Sequence, residues 1–339
     1  MLRTSTIPLS ATYDAGIFDL DGVCYRGSAP IPHAAASVTR AKDEGLAPVF
    51  LTNNASRGPA EVAAHLQELG FPASTETVYT ATMGAADLAE EKLDPGASIY
   101  VIGGPALVAE LKGRGFTIAD SADDRPDAVV QGLHKSVNWA MLSEGALAIR
   151  AGAVHLASNI DSTLPQERGF MLGNGSLVGA VELATGQKSI PTGKPFPGVF
   201  TKAAALVGGR NPLAVGDRLN TDIAGGVAAG MDSFHVLTGV SSEVDVALAA
   251  RSQRPTYLGA DLRALVEPHE APRLDDGAWV AGQSWARVTD QIETSAPIAG
   301  CSMEVYRCVV AAAWDHADRG GDRDWLRDAI ADLEVDRDR

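Results

Sequence analysis

Phe18-Asp19-Leu20-Asp21-Gly22-Val23 is the stretch from which the rest of the chain is read. It follows Ala15-Gly16-Ile17-Phe18, a short apolar run that suits a buried strand ending at Asp19. In an open α/β sheet, ligands bind at the carboxyl edge of the strands. Two carboxylates two residues apart on that edge can divide labour, one as nucleophile and the other as general acid and base. Gly22 lets the chain turn sharply after them. Taken alone, Asp19 to Gly22 also reads as no more than an acidic turn, because Asp and Gly favour turns.

Outward from this stretch the chain alternates strand and helix. Ala47 to Leu51 is a second strand pattern, ending at Thr52-Asn53-Asn54, with helices expected at His33–Glu44 and Pro59–Leu69. Such alternation argues for parallel pairing and an α/β layer fold. A separate group of strand candidates follows at Ser98–Ile102, Asp127–Leu133 and Val154–Asn159, with helices at Pro105–Arg114 and Val137–Arg150. The first pattern then resumes: helix Gly198–Val207, strand Leu213–Val215, helix Thr221–Ala229, strand Ser233–Leu237. A pattern that stops and resumes predicts one domain inserted into another. The expected boundaries are a core at 1–82 and 190–266, an inserted domain at 83–189, a polar linker at 267–277 and a C-terminal module at 278–339.

Three further elements join the first motif. Thr52 and Asn53 end a strand and offer a hydroxyl and an amide to phosphoryl oxygens. Lys194, in Thr192-Gly193-Lys194-Pro195, offers a point cation. Asp217 ends a third strand and Asp222 follows it at a helix start. Each has a structural reading of its own, the Asp at a helix start as a cap for instance. In this order, with Ser158–Pro165, Ala229–Met231 and Leu237–Gly239, the set resembles the haloacid dehalogenase-like (HAD) superfamily over about residues 14 to 266.

Only 32 residues separate Asp19 from Thr52, whereas 141 separate Thr52 from Lys194. The large insertion therefore falls between the second and third motifs. That arrangement resembles the class IIA group of p-nitrophenyl phosphatases, phosphoglycolate phosphatases and NagD-like enzymes, and within it an actinobacterial glycerol-3-phosphate phosphatase. The implied fold is α/β: a HAD-like Rossmannoid parallel-sheet core, a large inserted α/β cap and a small C-terminal α-rich module. The implied activity is Mg²⁺-dependent hydrolysis of a small phosphomonoester, with glycerol 3-phosphate favoured over phosphoglycolate and nucleotides. Asp19 would be the nucleophile and Asp21 the general acid and base. Thr52, Asn53 and Lys194 would hold the phosphate. Mg²⁺ would be held by the carboxylates of Asp19 and Asp217 and the backbone carbonyl of Asp21, with Asp222 behind them. The cap loop Asp161 to Arg168 would choose the substrate through Asp161, Leu164, Gln166 and Arg168. Pyridoxal phosphate-specific members carry a His where this chain has Leu164, which counts against that substrate. A phosphotransferase or mutase, and a non-catalytic phosphometabolite sensor, are the competing readings.

Composition agrees with a soluble enzyme: 45% hydrophobic and 21% charged residues, with no apolar run long enough to span a membrane. The net charge of −15 argues against nucleic acid as a partner. It also repels small anionic substrates unless a metal and Lys194 reverse the sign locally. Three cysteines, Cys24, Cys301 and Cys308, fit neither a zinc site nor a disulfide framework, which favours a reducing cytoplasm. Cys24 reads as a small buried apolar side chain, or else as an oxidisable brake on activity. Residues 278 to 339 carry four of the five tryptophans, Trp279, Trp285, Trp314 and Trp325. Their apolar surface is expected to pack within the module and against the core or a second copy in a homodimer. The module resembles a fragment of an acetyltransferase-like fold without its cofactor-binding signature.

Overall fold

Ala15–Phe18 forms a strand buried along its whole length, as an apolar run covered on both faces should be. It pairs in parallel with Pro212–Gly216, which pairs with Asp232–Val236, which pairs with Tyr257–Gly259. The full strand order is Tyr257–Gly259, Asp232–Val236, Pro212–Gly216, Ala15–Phe18, Ala47–Thr52, Val78–Thr80. The computed structural model describes residues 1–166 and 168–337, and the side chains of Pro165, Gln166 and Phe170 lie outside that description. The chain divides into one unit of Met1–Val49, Leu69–Pro72 and Ala204–Arg339, and another of Phe50–Glu68 and Ala73–Ala203.

The second unit contains a five-stranded parallel sheet in the order Ile190–Pro191, Val154–Ala157, Ala128–Gln131, Ser98–Ile102, Thr117–Ile118. The sequence pattern placed the three long strands within two residues of their ends. Asn174–Thr185 is a helix that ends at Gly186 in the left-handed region, where glycine is favoured. A hairpin of Thr163–Gln166 and Gly169–Leu172 precedes it. Trp139 and Leu183 stand exposed on the helices Trp139–Arg150 and Asn174–Thr185.

The C-terminal stretch holds two helices, at Met303–Asp318 and Arg323–Ala329. Ile330 and Leu333 are buried just beyond the end of the second. Ahead of them runs a four-stranded antiparallel meander, Arg273–Asp275, Ala278–Ala281, Ser284–Val288 and Ile292–Thr294. Tyr306 and Trp314 are fully buried in one apolar cluster with Ile223, Leu237, Val246 and Leu258. The Trp314 indole N–H donates to the Val246 carbonyl at 2.9 Å, and Arg254 lies 5.1 Å above the ring. The tryptophan-rich segment is thus built into the same unit as Asp19 and Asp217. The N-terminal segment joins it too, since Ser5 and His269 exchange two backbone hydrogen bonds of 2.8 Å.

Candidate active site

The acidic residues lie in the first unit, each set by the end of a strand. The Asp19 N–H donates to the Val215 carbonyl, which extends the Ala15–Phe18 ladder by one residue and fixes the nucleophile candidate at the sheet edge. Asp21 is exposed in the turn that follows, where Gly22 N–H donates to the Tyr25 carbonyl. Gly22 has φ +95°, and a Cβ there would lie 2.5 Å from Asp217 Oδ2. A Cβ at Gly239 would also collide with the Asp217 carboxylate, and one at Gly216 with the Asp222 side chain. These glycines therefore make room for carboxylates as well as for turns.

Asp217 is fully buried. Val240 N–H donates to its Oδ2 at 2.6 Å, and Ser241 N–H to its carbonyl at 3.1 Å. The same carbonyl lies 3.1 Å from His235 Nε2, so that nitrogen carries the ring proton. Burial pushes the His235 pKa down to about 4, which keeps the ring a neutral donor. Asp222, 2% exposed, enters through a π-type turn at Leu219–Ile223, and its Oδ2 accepts the Arg218 N–H at 3.0 Å.

One carboxylate oxygen from each of Asp19, Asp217 and Asp222 falls within 4.8 Å of the others. Three carboxylates this close in a nearly dry setting repel one another strongly unless a cation lies among them. An all-oxygen, all-anionic donor set suits a hard divalent ion such as Mg²⁺. Asp222 brings a carboxylate oxygen to this cluster beside those of Asp19 and Asp217. The burial of Asp217 and the ring of donors to it are what the sequence reading did not supply. The Leu237–Gly239 match carried the signal without its physical reason.

The phosphate-binding candidates lie in the second unit. Thr52 ends its strand 8% exposed, with its Oγ1 accepting the Asn54 N–H at 3.1 Å. Lys194 is 4% exposed. Its N–H donates to Asn53 Oδ1 at 2.8 Å, and its carbonyl accepts from Asn53 Nδ2 at 3.1 Å. Asn53 Nδ2 also donates to Asp161 Oδ2 at 3.0 Å, which brings the first cap candidate to the Thr52–Asn54 motif. Leu164 is half-buried in the hairpin opposite Met171, and Arg168 is exposed at its tip. The side chain of Gln166 lies outside the described residues.

Comparison with known proteins agrees with this arrangement. A haloacid dehalogenase-like hydrolase model matches residues 16–117, and a HAD-hydrolase-like model matches 191–265. The D-glycerol 3-phosphate phosphatase of Mycobacterium tuberculosis is 42% identical over 315 residues, covering 91% of this chain and 87% of its own. The chain belongs to the haloacid dehalogenase-like hydrolases, and within them it is a phosphoric monoester hydrolase. Crystal structures of glycerol phosphate phosphatase from M. tuberculosis superpose with TM-scores of 0.84 with calcium and 0.82 with magnesium. They are 38% and 40% identical, covering 97% of this chain and 98% and 99% of theirs. A p-nitrophenyl phosphatase from Archaeoglobus fulgidus superposes with a TM-score of 0.69 at 27% identity. It covers 75% of this chain and 98% of its own. No helix among the described residues is long and apolar enough to cross a membrane.

Proposed function

We propose that this hydrolase removes phosphate from glycerol 3-phosphate in two in-line steps through an aspartyl-phosphate on Asp19. The observation that carries the reading is the cluster of Asp19, Asp217 and Asp222 within 4.8 Å, with Asp21 two residues beyond the nucleophile. In the first step an Asp19 carboxylate oxygen bonds to phosphorus as the bond to the glycerol oxygen breaks. Asp21 gives its proton to the departing alkoxide. In the second step Asp21 takes a proton from water as that water attacks the phosphorus, the acyl–phosphate bond breaks, and Asp19 is restored. The carboxylates of Asp19 and Asp217 and the Asp21 carbonyl, with Asp222 beside them, would hold Mg²⁺, which would supply charge neutralisation to the transferring group. The Thr52 hydroxyl and the Lys194 ammonium stabilise equatorial oxygens as charge redistributes.

The substrate rests on the 42% identity to a D-glycerol 3-phosphate phosphatase, an alignment that covers 91% of this chain and so reaches into the C-terminal module. The cytoplasm is the proposed compartment, supported by three buried cysteines that form no disulfide among the described residues. A homodimer is proposed as well, with the exposed Trp139 and Leu183 as its support. Sedimentation of the wild type and Trp139→Ser checks it, and a monomeric wild type refutes it.

Phosphate release from glycerol 3-phosphate, phosphoglycolate, nucleoside monophosphates and p-nitrophenyl phosphate, with and without Mg²⁺, tests the function. The expected result is Mg²⁺-dependent turnover with the highest kcat/KM on glycerol 3-phosphate. A tenfold preference for phosphoglycolate or a nucleotide would overturn the substrate. Absence of release from every ester would overturn the enzyme and favour a sensor.

A further inference from the structure

A carboxamide offers two N–H donors and one carbonyl oxygen. In Asn53 both N–H groups are already engaged, one by Asp161 Oδ2 at 3.0 Å and the other by the Lys194 carbonyl at 3.1 Å. The oxygen accepts the Lys194 N–H at 2.8 Å. That side chain retains no donor for a phosphate, and its oxygen would repel one.

We propose that Asn53 is a positioning residue rather than a phosphate ligand: its carboxamide fixes the main chain of Lys194 on one side and the Asp161 carboxylate on the other. The inference rests on the reading of Lys194 as the phosphate-side cation and of the loop at Asp161 as the one that chooses the leaving group. One side chain then sets both.

The geometry around Asn53 closes on itself. Asn53 Nδ2 donates to Asp161, Asp161 N–H donates to Asn159 Oδ1 at 3.1 Å, and Asn159 Nδ2 donates back to the Asn53 carbonyl at 2.8 Å. Asn174, 1% exposed, donates to the Asn159 carbonyl at 2.8 Å and ties this ring to the start of its helix. Gly193 completes the fit, because a Cβ there would lie 2.9 Å from Asn53 Oδ1 and 3.1 Å from Asn159 Cβ. The bond to Asp161 is charge-assisted, so it is the strong point of the ring and the one a substitution can reverse.

The test is a reciprocal exchange in the full-length protein. Asn53→Asp keeps the shape but faces Asp161 with a second carboxylate. Asp161→Asn alone still offers an oxygen to Asn53. The double variant, Asn53→Asp with Asp161→Asn, restores one hydrogen bond in the opposite sense. Orthophosphate affinity, measured by calorimetry with Mg²⁺ present, needs no assumption about the substrate, and KM and kcat on glycerol 3-phosphate are measured beside it. Asn53→Asp is expected to weaken orthophosphate binding about 10–100-fold, the usual effect of removing an outer-shell partner. The double variant should recover about tenfold in orthophosphate affinity over Asn53→Asp. Thermal melting and Mg²⁺ affinity should be unchanged, which separates repositioning from unfolding. Losses in the double variant equal to the product of the single losses would overturn the proposal. So would an Asn53→Ala variant that binds orthophosphate as wild type does. If the wild type binds orthophosphate but turns over another ester, the substrate reading fails and this one is still decided by the same affinities.

Discussion

Acidification should unfold this protein by way of three buried histidines. His155, His235 and His269 are 2%, 0% and 3% exposed, and burial pushes each pKa from the ordinary 6.5 down to about 4. Each has Nε2 at a single oxygen, respectively Gln131 Oε1, the Asp217 carbonyl and the Ala264 carbonyl, at 3.0, 3.1 and 2.8 Å. The Nδ1 atom of each is buried without a partner. Protonating it would create a cation and a second N–H with no acceptor. The folded pKa lies below the unfolded one, so the unfolded chain binds protons first. The stabilisation is therefore complete above pH 6.5 and is lost as pH falls from 6.5 toward 4. Between pH 7.5 and 4.5 each histidine costs about 2–3 kcal/mol, and the three together about 7–8 kcal/mol. That is comparable with the whole stability of a typical domain, about 5–15 kcal/mol. Urea denaturation at pH 7.5, 6.5, 5.5 and 4.5 reads the effect. If the two units unfold separately, the transition of the unit holding His155 should take up one such proton and the other two. Replacing His155 by Gln should lower the pH slope near pH 5.3 by about 1.2 kcal/mol per unit. Resonances of His155, His235 and His269 titrating near pH 6.5 in the folded protein, or stability flat from pH 6.5 to 4.5, would refute the argument.

The remaining predictions concern the site and the C-terminal segment. Asp19→Asn should abolish turnover, and Asp21→Asn should lose about 10²–10⁴-fold on alkyl phosphates but less on p-nitrophenyl phosphate, whose leaving group needs no proton. Equal loss on both substrates counts against Asp21 as the acid. Asp217→Asn should weaken Mg²⁺ binding measured by calorimetry, and Ca²⁺, with its longer bonds and higher coordination number, should inhibit. Full turnover with Ca²⁺ counts against the cluster as a Mg²⁺ site. Trp314→Ala should cost about 3–5 kcal/mol in urea unfolding, because it empties a fully buried position. A loss below 1 kcal/mol would show that the tryptophan cluster contributes little.

The chemistry was legible because each acidic motif is local: Asp19 and Asp217 close apolar runs, and a strand end places its last residues at the sheet edge. The second parallel sheet was legible as a separate group of strand candidates between the two halves of the first pattern. What sequence could not supply were relations between distant residues. Asn53 meets Asp161 and Asn159 across more than a hundred residues, and nothing local in Thr52-Asn53-Asn54 says that the middle side chain is already occupied. The meander from Arg273 to Thr294 was missed for another reason. Its strands are short and mostly half-buried, so they lack the clean alternation that marks a strand. Helix Met303–Asp318 was legible because Tyr306, Val310 and Ala313 keep a helical period, but its burial against Val246 and Leu258 was not.

Gly22 and Gly239 bear on how active members of such a family are told from inert ones. Both press against one carboxylate, so the vacancy left by their absent side chains is as much a part of the site as the oxygens of Asp217. A duplicated gene could keep all four aspartates and the lysine and still lose metal affinity through alanine at either glycine. A search for acidic motifs would score such a protein as intact. Screening for silent relatives should therefore weigh the two glycines equally with the acids, and restoring glycine at such a position is the single change that should revive a dormant copy.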